Sequence, residues 1–249
     1  TTPREAGAWM AVFSDGLCGT VGGGHLEWQA IAQARQLLAL PAVPPSTQRY
    51  ALGPSLGQCC GGEVWLEYRC VSAGDAHRLA ALLAPRHVPL ALFGAGHVGR
   101  AVVQVVAALP MDVTWIDSRD AVFDCDCPAN VRCEHSDPVQ AAVADLLAQS
   151  RVLVMSFSHA EDLEVVAACL QRQRERSDLP YLGLIGSRSK WAAFSHRLAQ
   201  RGFGAEELAH VTCPIGIATI TDKRPEVMAI AIAAQLLQVP ANSVAEQGV

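Results

Sequence analysis

The sequence predicts an α/β protein: a C-terminal Rossmann-like doubly wound parallel sheet preceded by a smaller N-terminal α+β domain. Three observations carry this. From Pro89 onward, short apolar runs alternate with helical segments, the pattern of parallel strands joined by crossover helices. The first of those runs leads into Gly94-Ala95-Gly96-His97-Val98-Gly99, a dinucleotide fingerprint in the strand-to-helix context it requires. Upstream the texture differs, with one long alanine-rich helix followed by two strands around a glycine-rich loop. The boundary falls near residue 86, giving domains 1–85 and 86–249.

Taken in order, residues 8–14 read as a strand closed by an Asp15-Gly16 turn. Gly22-Gly23-Gly24 then leads into a helix that begins at His25 and runs to about Leu40, stopped by Pro41, Pro44 and Pro45. Strands over 48–52 and 63–70 follow. In the second domain, strands are expected over 90–94, 112–117, 131–133, 152–157 and 181–186. Helices are expected from the fingerprint to about 109, from Pro138, after 157 to about 172, after 186 to about 201, and over 225–237. There is no internal repeat.

Hydrophobic residues make up 51% of the 249 and charged residues only 17%, so a sizeable core is expected and wholesale disorder is not. The net charge of −5 and the lack of a basic stripe argue against nucleic acid as a partner. The densest basic tract, 171–176, reads as a solvated helix end. No uncharged apolar run reaches membrane-spanning length, so no membrane association is expected. Nine cysteines, an odd count, with no secretory signal fit reduced thiols and a cytoplasmic location better than a disulfide framework. The chain opens on Thr1-Thr2-Pro3-Arg4 instead of Met and reads as truncated or processed, without an upstream strand.

The candidate chemistry sits at a few points. Leu56-Gly57-Gln58-Cys59-Cys60-Gly61-Gly62 places two thiols in a glycine-rich loop with no apolar period around it. A thiolate there would be a nucleophile or a soft metal ligand; a turn that carries two cysteines is the plainer alternative. In the fingerprint, Gly94 makes the tight turn, Gly96 admits a pyrophosphate to the backbone and Gly99 allows close packing of helix on strand. Asp117 ends the next strand, where an acid would meet a ribose hydroxyl. Real use of NAD(P) or another nucleotide stays open, because the fold hosts other ligands.

Ser187, Arg188 and Lys190 follow Gly186 at a second strand-to-helix turn and would suit a phosphate, unless they only start and solvate a helix. His159 follows the fourth strand of the domain and is an acid–base candidate, against an ordinary capped helix start. Cys125, Cys127, Cys133 and His135 have no recognised zinc spacing, so no metal site is expected there. Cys213, in Thr212-Cys213-Pro214-Ile215-Gly216, reads as structural. No Gly-x-Ser-x-Gly elbow is present, which discounts serine hydrolase chemistry.

Several segments together resemble the XdhC/CoxI family. They are Pro3 to Ala8, Gly19-Thr20-Val21-Gly22-Gly23-Gly24-His25-Leu26-Glu27, Leu52 to Gly62, Gly94 to Gly99, Gly183-Leu184-Ile185-Gly186-Ser187-Arg188, and Cys213-Pro214-Ile215-Gly216 with Pro225-Glu226-Val227. The resemblance spans nearly the whole chain. It implies a cytoplasmic, non-enzymatic accessory protein that binds molybdenum cofactor, a phosphate-bearing molybdopterin. Such a protein delivers the sulfurated form to xanthine dehydrogenase during maturation.

The implied partners are xanthine dehydrogenase apoenzyme, a cysteine desulfurase and molybdenum cofactor biosynthesis proteins; a homodimer is also expected. Carried over by position, Cys59 becomes the first candidate for the molybdenum-contacting thiol, Cys60 the second, and Gln58 a neighbouring contact. Three positions depart from the family pattern: Ile220-Thr221, Gln235 in place of glutamate, and Ser158-His159-Ala160. The rival readings are an NAD(P)-dependent oxidoreductase using His159 and a redox regulator sensing oxidant through Cys59 and Cys60.

Overall fold

The structure, a computed structural model, describes residues 7–41, 43–52, 62–84, 87–123 and 127–240. It divides into two compact units, Thr1–Ala84 and Pro85–Val249.

In the first unit, β1 (Met10–Val12) and β2 (Leu17–Gly19) form an antiparallel hairpin. The strand expected over 8–14 is therefore shorter, and the turn after it returns the chain. The Phe13 N–H donates to the Gly16 carbonyl at 2.9 Å, closing a turn too tight for the apolar run to continue. Helix α1 (Gly24–Leu38) follows, then a ladder of β3 (Ser46–Leu52) against β4 (Gly62–Tyr68), paired antiparallel along its full length. A short 3-10 turn and α2 (Ala76–Leu83) close the unit; eight residues are too few to stand out as a helical period.

The small core gathers Leu26, Tyr50 and Leu52, with Val64, Leu66 and Tyr68 against them. The Gly22-Gly23-Gly24 turn is fastened by one carboxylate. Glu27 accepts from the Thr20 hydroxyl and from the N–H groups of Val21 (3.1 Å) and Gly23 (3.0 Å). The Thr20 hydrogen bond, and then the backbone donors, hold this carboxyl below its usual range against the opposing effect of burial.

The second unit carries a six-stranded, wholly parallel sheet. Its strands are β5 (Val88–Phe93), β6 (Met111–Asp117), β7 (Val131–His135), β8 (Arg151–Val154), β9 (Tyr181–Leu184) and β10 (Val211–Thr212). Their spatial order is β7-β6-β5-β8-β9-β10, the doubly wound 3-2-1-4-5-6 arrangement. Side chains alternate between faces as a strand requires. On β5, Leu90 and Leu92 pack on one side with α3 (His97–Val106) and α7 (Pro225–Gln238). Ala91 and Phe93 pack on the other with α4 (His159–Arg176) and α5 (Arg188–Gln200). A short α6 (Ala205–Ala209) leads into β10.

Two expectations need correction here. The segment after Pro138 is a 3-10 helix over Val139–Asp145, not an α-helix. The other concerns Arg172, which was expected on a solvated helix end and is buried at 6% exposure. Its guanidinium donates to the carbonyls of Val143 (2.7 Å) and Leu146 (2.8 Å) and pairs with Asp178. It takes carbonyls that a further α-helical turn would have used, and it pins the crossover to α4.

Arg151 does a similar job for α7. It is 4% exposed and donates to the carbonyls of Leu236 and Val239, each at 2.7 Å, satisfying acceptors that a helix C-terminus leaves open. Arg151→Ala is expected to lower stability by about 2–4 kcal/mol, from lost packing and two lost charge-assisted hydrogen bonds. Urea denaturation checks this, and a loss under about 1 kcal/mol would mean that α7 is held by other means.

Candidate functional site

Strands β5 and β8 are neighbours whose following helices lie on opposite faces, so the sheet switches direction between them. In open α/β sheets such a point opens a crevice beyond the carboxyl ends of the strands. The β5–α3 turn fills one side of it. The Gly94 N–H donates to the Ile116 carbonyl at 2.7 Å, and the Met155 N–H donates to the Phe93 carbonyl at 2.8 Å. Gly94 has φ +116°, and a Cβ on it would lie 2.0 Å from the Met155 carbonyl oxygen. A Cβ on Gly99 would lie 2.1 Å from the Gly94 oxygen. Both glycines are therefore demanded by the chain's own packing.

Gly96 is different. It is exposed, its φ is −75°, and a Cβ there would meet nothing within 4 Å. Nothing in the described chain requires glycine at this position. Helix α3 also begins there without a side-chain cap, so its first-turn N–H groups have neither a side-chain cap nor an intrahelical acceptor. The helices after β8 and β9 are capped: Ser158 Oγ accepts from the Glu161 N–H, and Ser187 Oγ accepts from the Lys190 N–H. Of these three strand-following helices, α3 alone has a donor terminus not closed by a side chain.

Asp117 ends β6 beside this turn, and its carboxylate is fully engaged. It accepts from the Ala95 N–H (2.7 Å) and the Arg119 N–H (2.9 Å), and it is bridged by the Arg119 guanidinium at 2.8 and 2.9 Å. Burial pushes this carboxyl up. The Arg119 guanidinium and the two backbone donors outweigh burial and leave the carboxyl below its ordinary value. A ribose hydroxyl would have to compete with Arg119 for it. The guanidinium also lies over the exposed Phe157 ring, 5.0 Å from its centroid. Neither Arg119 nor Phe157 stood out in the sequence, although Arg119 lies two residues past the predicted acid.

Lys190 points inward. Its Nζ is 2.6 Å from Asp162 Oδ2 and 2.8 Å from the Ile185 carbonyl, and the pair is nearly buried. Asp162 also accepts from the Ser156 N–H (2.8 Å) and hydroxyl (2.7 Å). Gly186 makes room for this: a Cβ there would lie 2.6 Å from Lys190 Cδ. The cation expected to face a phosphate thus braces the β8 and β9 turns to each other. Arg188 is exposed at the first turn of α5. His159 is exposed, with its ring edge-on to Phe194 at 6.2 Å.

The turn after β10 is tied down by Gln235, whose Oε1 accepts from the Tyr181 hydroxyl (2.8 Å) and the Gly216 N–H (2.7 Å). A glutamate would accept the same two bonds. Burial pushes the Cys213 thiol up, with Lys190 pulling it down and Asp162 opposing Lys190, so Cys213 stays a thiol near neutral pH. Cys169, buried in the core, is pushed up to about 12 by its surroundings. His135 Nε2 lies 3.0 Å from the Ser118 carbonyl and is not gathered with the thiols of Cys127 and Cys133; Cys125 lies outside the described residues. So do Gln58, Cys59 and Cys60.

Comparison with known proteins decides the family. The XdhC Rossmann domain matches residues 90–236, more than half of the chain, and the XdhC and CoxI family matches residues 1–50. The chain belongs to the XdhC and CoxI family. The chain is 29% identical over 247 residues to the uncharacterised protein YqeB of Escherichia coli strain K12, and spans 98% of itself but 42% of that relative's length. A crystal structure of a xanthine dehydrogenase from Bacillus halodurans superposes with a TM-score of 0.77 at 20% identity, covering 96% of this chain and 88% of that one. At that identity the likeness concerns the fold. Among the described residues, no helix is long and apolar enough to cross a membrane.

The geometry of this turn makes two testable demands, the first on its glycines. Gly94→Ala should cost about 2–6 kcal/mol through its left-handed backbone and the carbonyl clash, whereas Gly96→Ala should stay within about 0.5 kcal/mol of wild type. Thermal denaturation of both proteins checks the contrast. The second concerns pH. Because Asp117 is depressed, its stabilising contribution is present above its ordinary value of 3.8 and lost as pH falls through the folded value. Arg119→Met should therefore be less stable than wild type at neutral pH, with the gap closing as pH falls below the ordinary carboxyl value of 3.8. Stability curves across that range check the sign.

Proposed function

We propose that this chain binds molybdenum cofactor and passes its sulfurated form to a xanthine dehydrogenase-type apoenzyme. The observation that carries the reading is the Gly96 turn: an open, uncapped donor terminus at the switch point, in a chain of the XdhC and CoxI family. A phosphate-bearing pterin fits that donor set, since first-turn N–H groups and the helix dipole favour an anion. His97, Val98 and Gly99 would supply the donors. The Ser187–Lys190 turn suits the phosphate less well, because Ser187 caps its helix and Lys190 is paired with Asp162. Engagement of Asp117 by Arg119 likewise favours the pterin over a nicotinamide dinucleotide whose ribose needs that acid.

Molybdenum accepts soft sulfur ligands, and in this reading Cys59 is the thiol that meets it, with Cys60 and Gln58 beside it. A thiolate contact and a few charge-assisted hydrogen bonds make a reversible grip, as a carrier requires. The proposed partners are the recipient apoenzyme, a cysteine desulfurase that supplies sulfur, and the proteins that make the cofactor. The proposed setting is cytoplasmic, as a non-catalytic homodimer.

The test is anaerobic isolation from a molybdenum-replete host, followed by pterin and molybdenum assay. Wild type should retain both. Cys59→Ala should lose at least the roughly 10-fold in metal affinity that follows removal of even an outer-shell partner. Wild type that carries no pterin and takes up none when offered it would overturn the reading, and full retention by Cys59→Ala would overturn the role of that thiol.

A further inference from the structure

We propose that Cys127 and Cys133 form a reversible disulfide, making the β6–β7 edge of the sheet a redox-modification site for small disulfides of the glutathione class. The two Sγ atoms lie 2.8 Å apart, well inside ordinary non-bonded sulfur contact. They are six residues apart in sequence, so little chain entropy opposes closure. The intervening turn is already set: the Val131 N–H donates to the Pro128 carbonyl at 2.8 Å, and the Val113 N–H donates to the Asn130 carbonyl at 2.8 Å. Asn130 Nδ2 adds bonds to the carbonyls of Ala107 and Met111. Both thiols are partly exposed, and β7 is the edge strand of the sheet, so a small oxidant can approach. Buried Cys169 contrasts on both counts.

Oxidation proceeds by thiol–disulfide exchange. One thiol loses its proton, and its thiolate attacks a sulfur of the small disulfide. A mixed disulfide forms as the S–S bond of the oxidant breaks and one thiolate leaves. The second cysteine then attacks the protein-bound sulfur, forming the Cys127–Cys133 bond and releasing the second small thiol. The protein gives up two electrons and two protons, and the oxidant becomes two thiols. Under reducing conditions the same steps run backwards, as expected of the redox-active disulfides found in reducing compartments.

The site bears on the rest of the unit. Cys133 is the registered partner of Trp115 on β6, and Trp115 Nε1 donates to the Gly94 carbonyl at 3.1 Å. Phe123 packs edge-on against Trp115, and the Val122 carbonyl accepts from Arg100 of α3 at 2.6 Å. The disulfide would tie Cys127 to the strand position registered with Trp115. The inference stands on this geometry and does not depend on the cofactor reading.

The full chain is equilibrated with reduced and oxidised glutathione over a range of ratios, alkylated and digested with trypsin. Cleavage after Arg119, Arg132 and Arg151 puts the two thiols on separate peptides, 120–132 and 133–151. The expected product is the pair of peptides linked, two hydrogens lighter than their sum. It persists in Cys125→Ser and disappears in Cys127→Ser and Cys133→Ser. In the native protein the link should form at a glutathione ratio at least about 10-fold more reducing than in the same chain unfolded in urea, because folding sets the thiols together. That comparison needs no variant to fold. A link through Cys125, or equal behaviour of the native and unfolded chains, would overturn the proposal.

Discussion

The second unit is organised by the close passage of the β5–α3 turn over the β8 backbone. Phe93 and Gly94 exchange backbone hydrogen bonds with both flanking strands, and no side chain fits between Gly94 and the Met155 carbonyl. Gly99 then lets α3 settle directly on that turn. Trp115, Asp117 and Ala95 lock the next strand onto it through a ring N–H and a buried carboxylate. With these contacts in place, the direction in which α3 leaves the sheet is fixed, and so is the opening in front of Gly96. A crevice at a switch point follows from topology; that this one presents bare N–H groups follows from the missing cap.

Buried charge does much of the remaining positioning. Arg151 and Arg172 each gather carbonyls left over at the end of a helix or a 3-10 turn. The Asp162–Lys190 pair joins two loops that would otherwise end independently at the sheet edge. Removing one partner from such a group leaves a buried charge without compensation, so these residues are constrained without touching any ligand. The distinction matters for reading the site. Charge near a crevice is no sign of a ligand contact when its partner is already in the chain.

The sheet was legible because its signals are local: apolar runs of strand length, punctuated by glycine, followed by helical segments. The fingerprint was legible for the same reason, and the family resemblance rests on segments of that kind. What the sequence hid is set by tertiary geometry. A lysine near a helix start looks the same whether it faces solvent or folds back under Gly186, and only the space left by that glycine decides. Arg172 sits in a charged tract that reads as solvated, yet the carbonyls it meets come from a segment some thirty residues earlier. The hairpin of Met10–Val12 with Leu17–Gly19 was too short to show a period, and Cys127 and Cys133 match no ligand spacing, so their approach was visible only in the fold. Of the candidate site residues, Gln58, Cys59 and Cys60 lie outside the described residues, while Gly94, Gly96, Gly99 and Asp117 come together at one turn.

The central claim is that an anionic ligand is held at the first turn of α3. Hydrogen–deuterium exchange on freshly isolated protein, before and after release of bound pterin, tests it most directly. The account predicts slowed exchange at the N–H groups of His97, Val98 and Gly99 in the loaded state, with Ser187 to Lys190 unchanged. Protection confined to Ser187–Lys190, or no difference at α3, would contradict it.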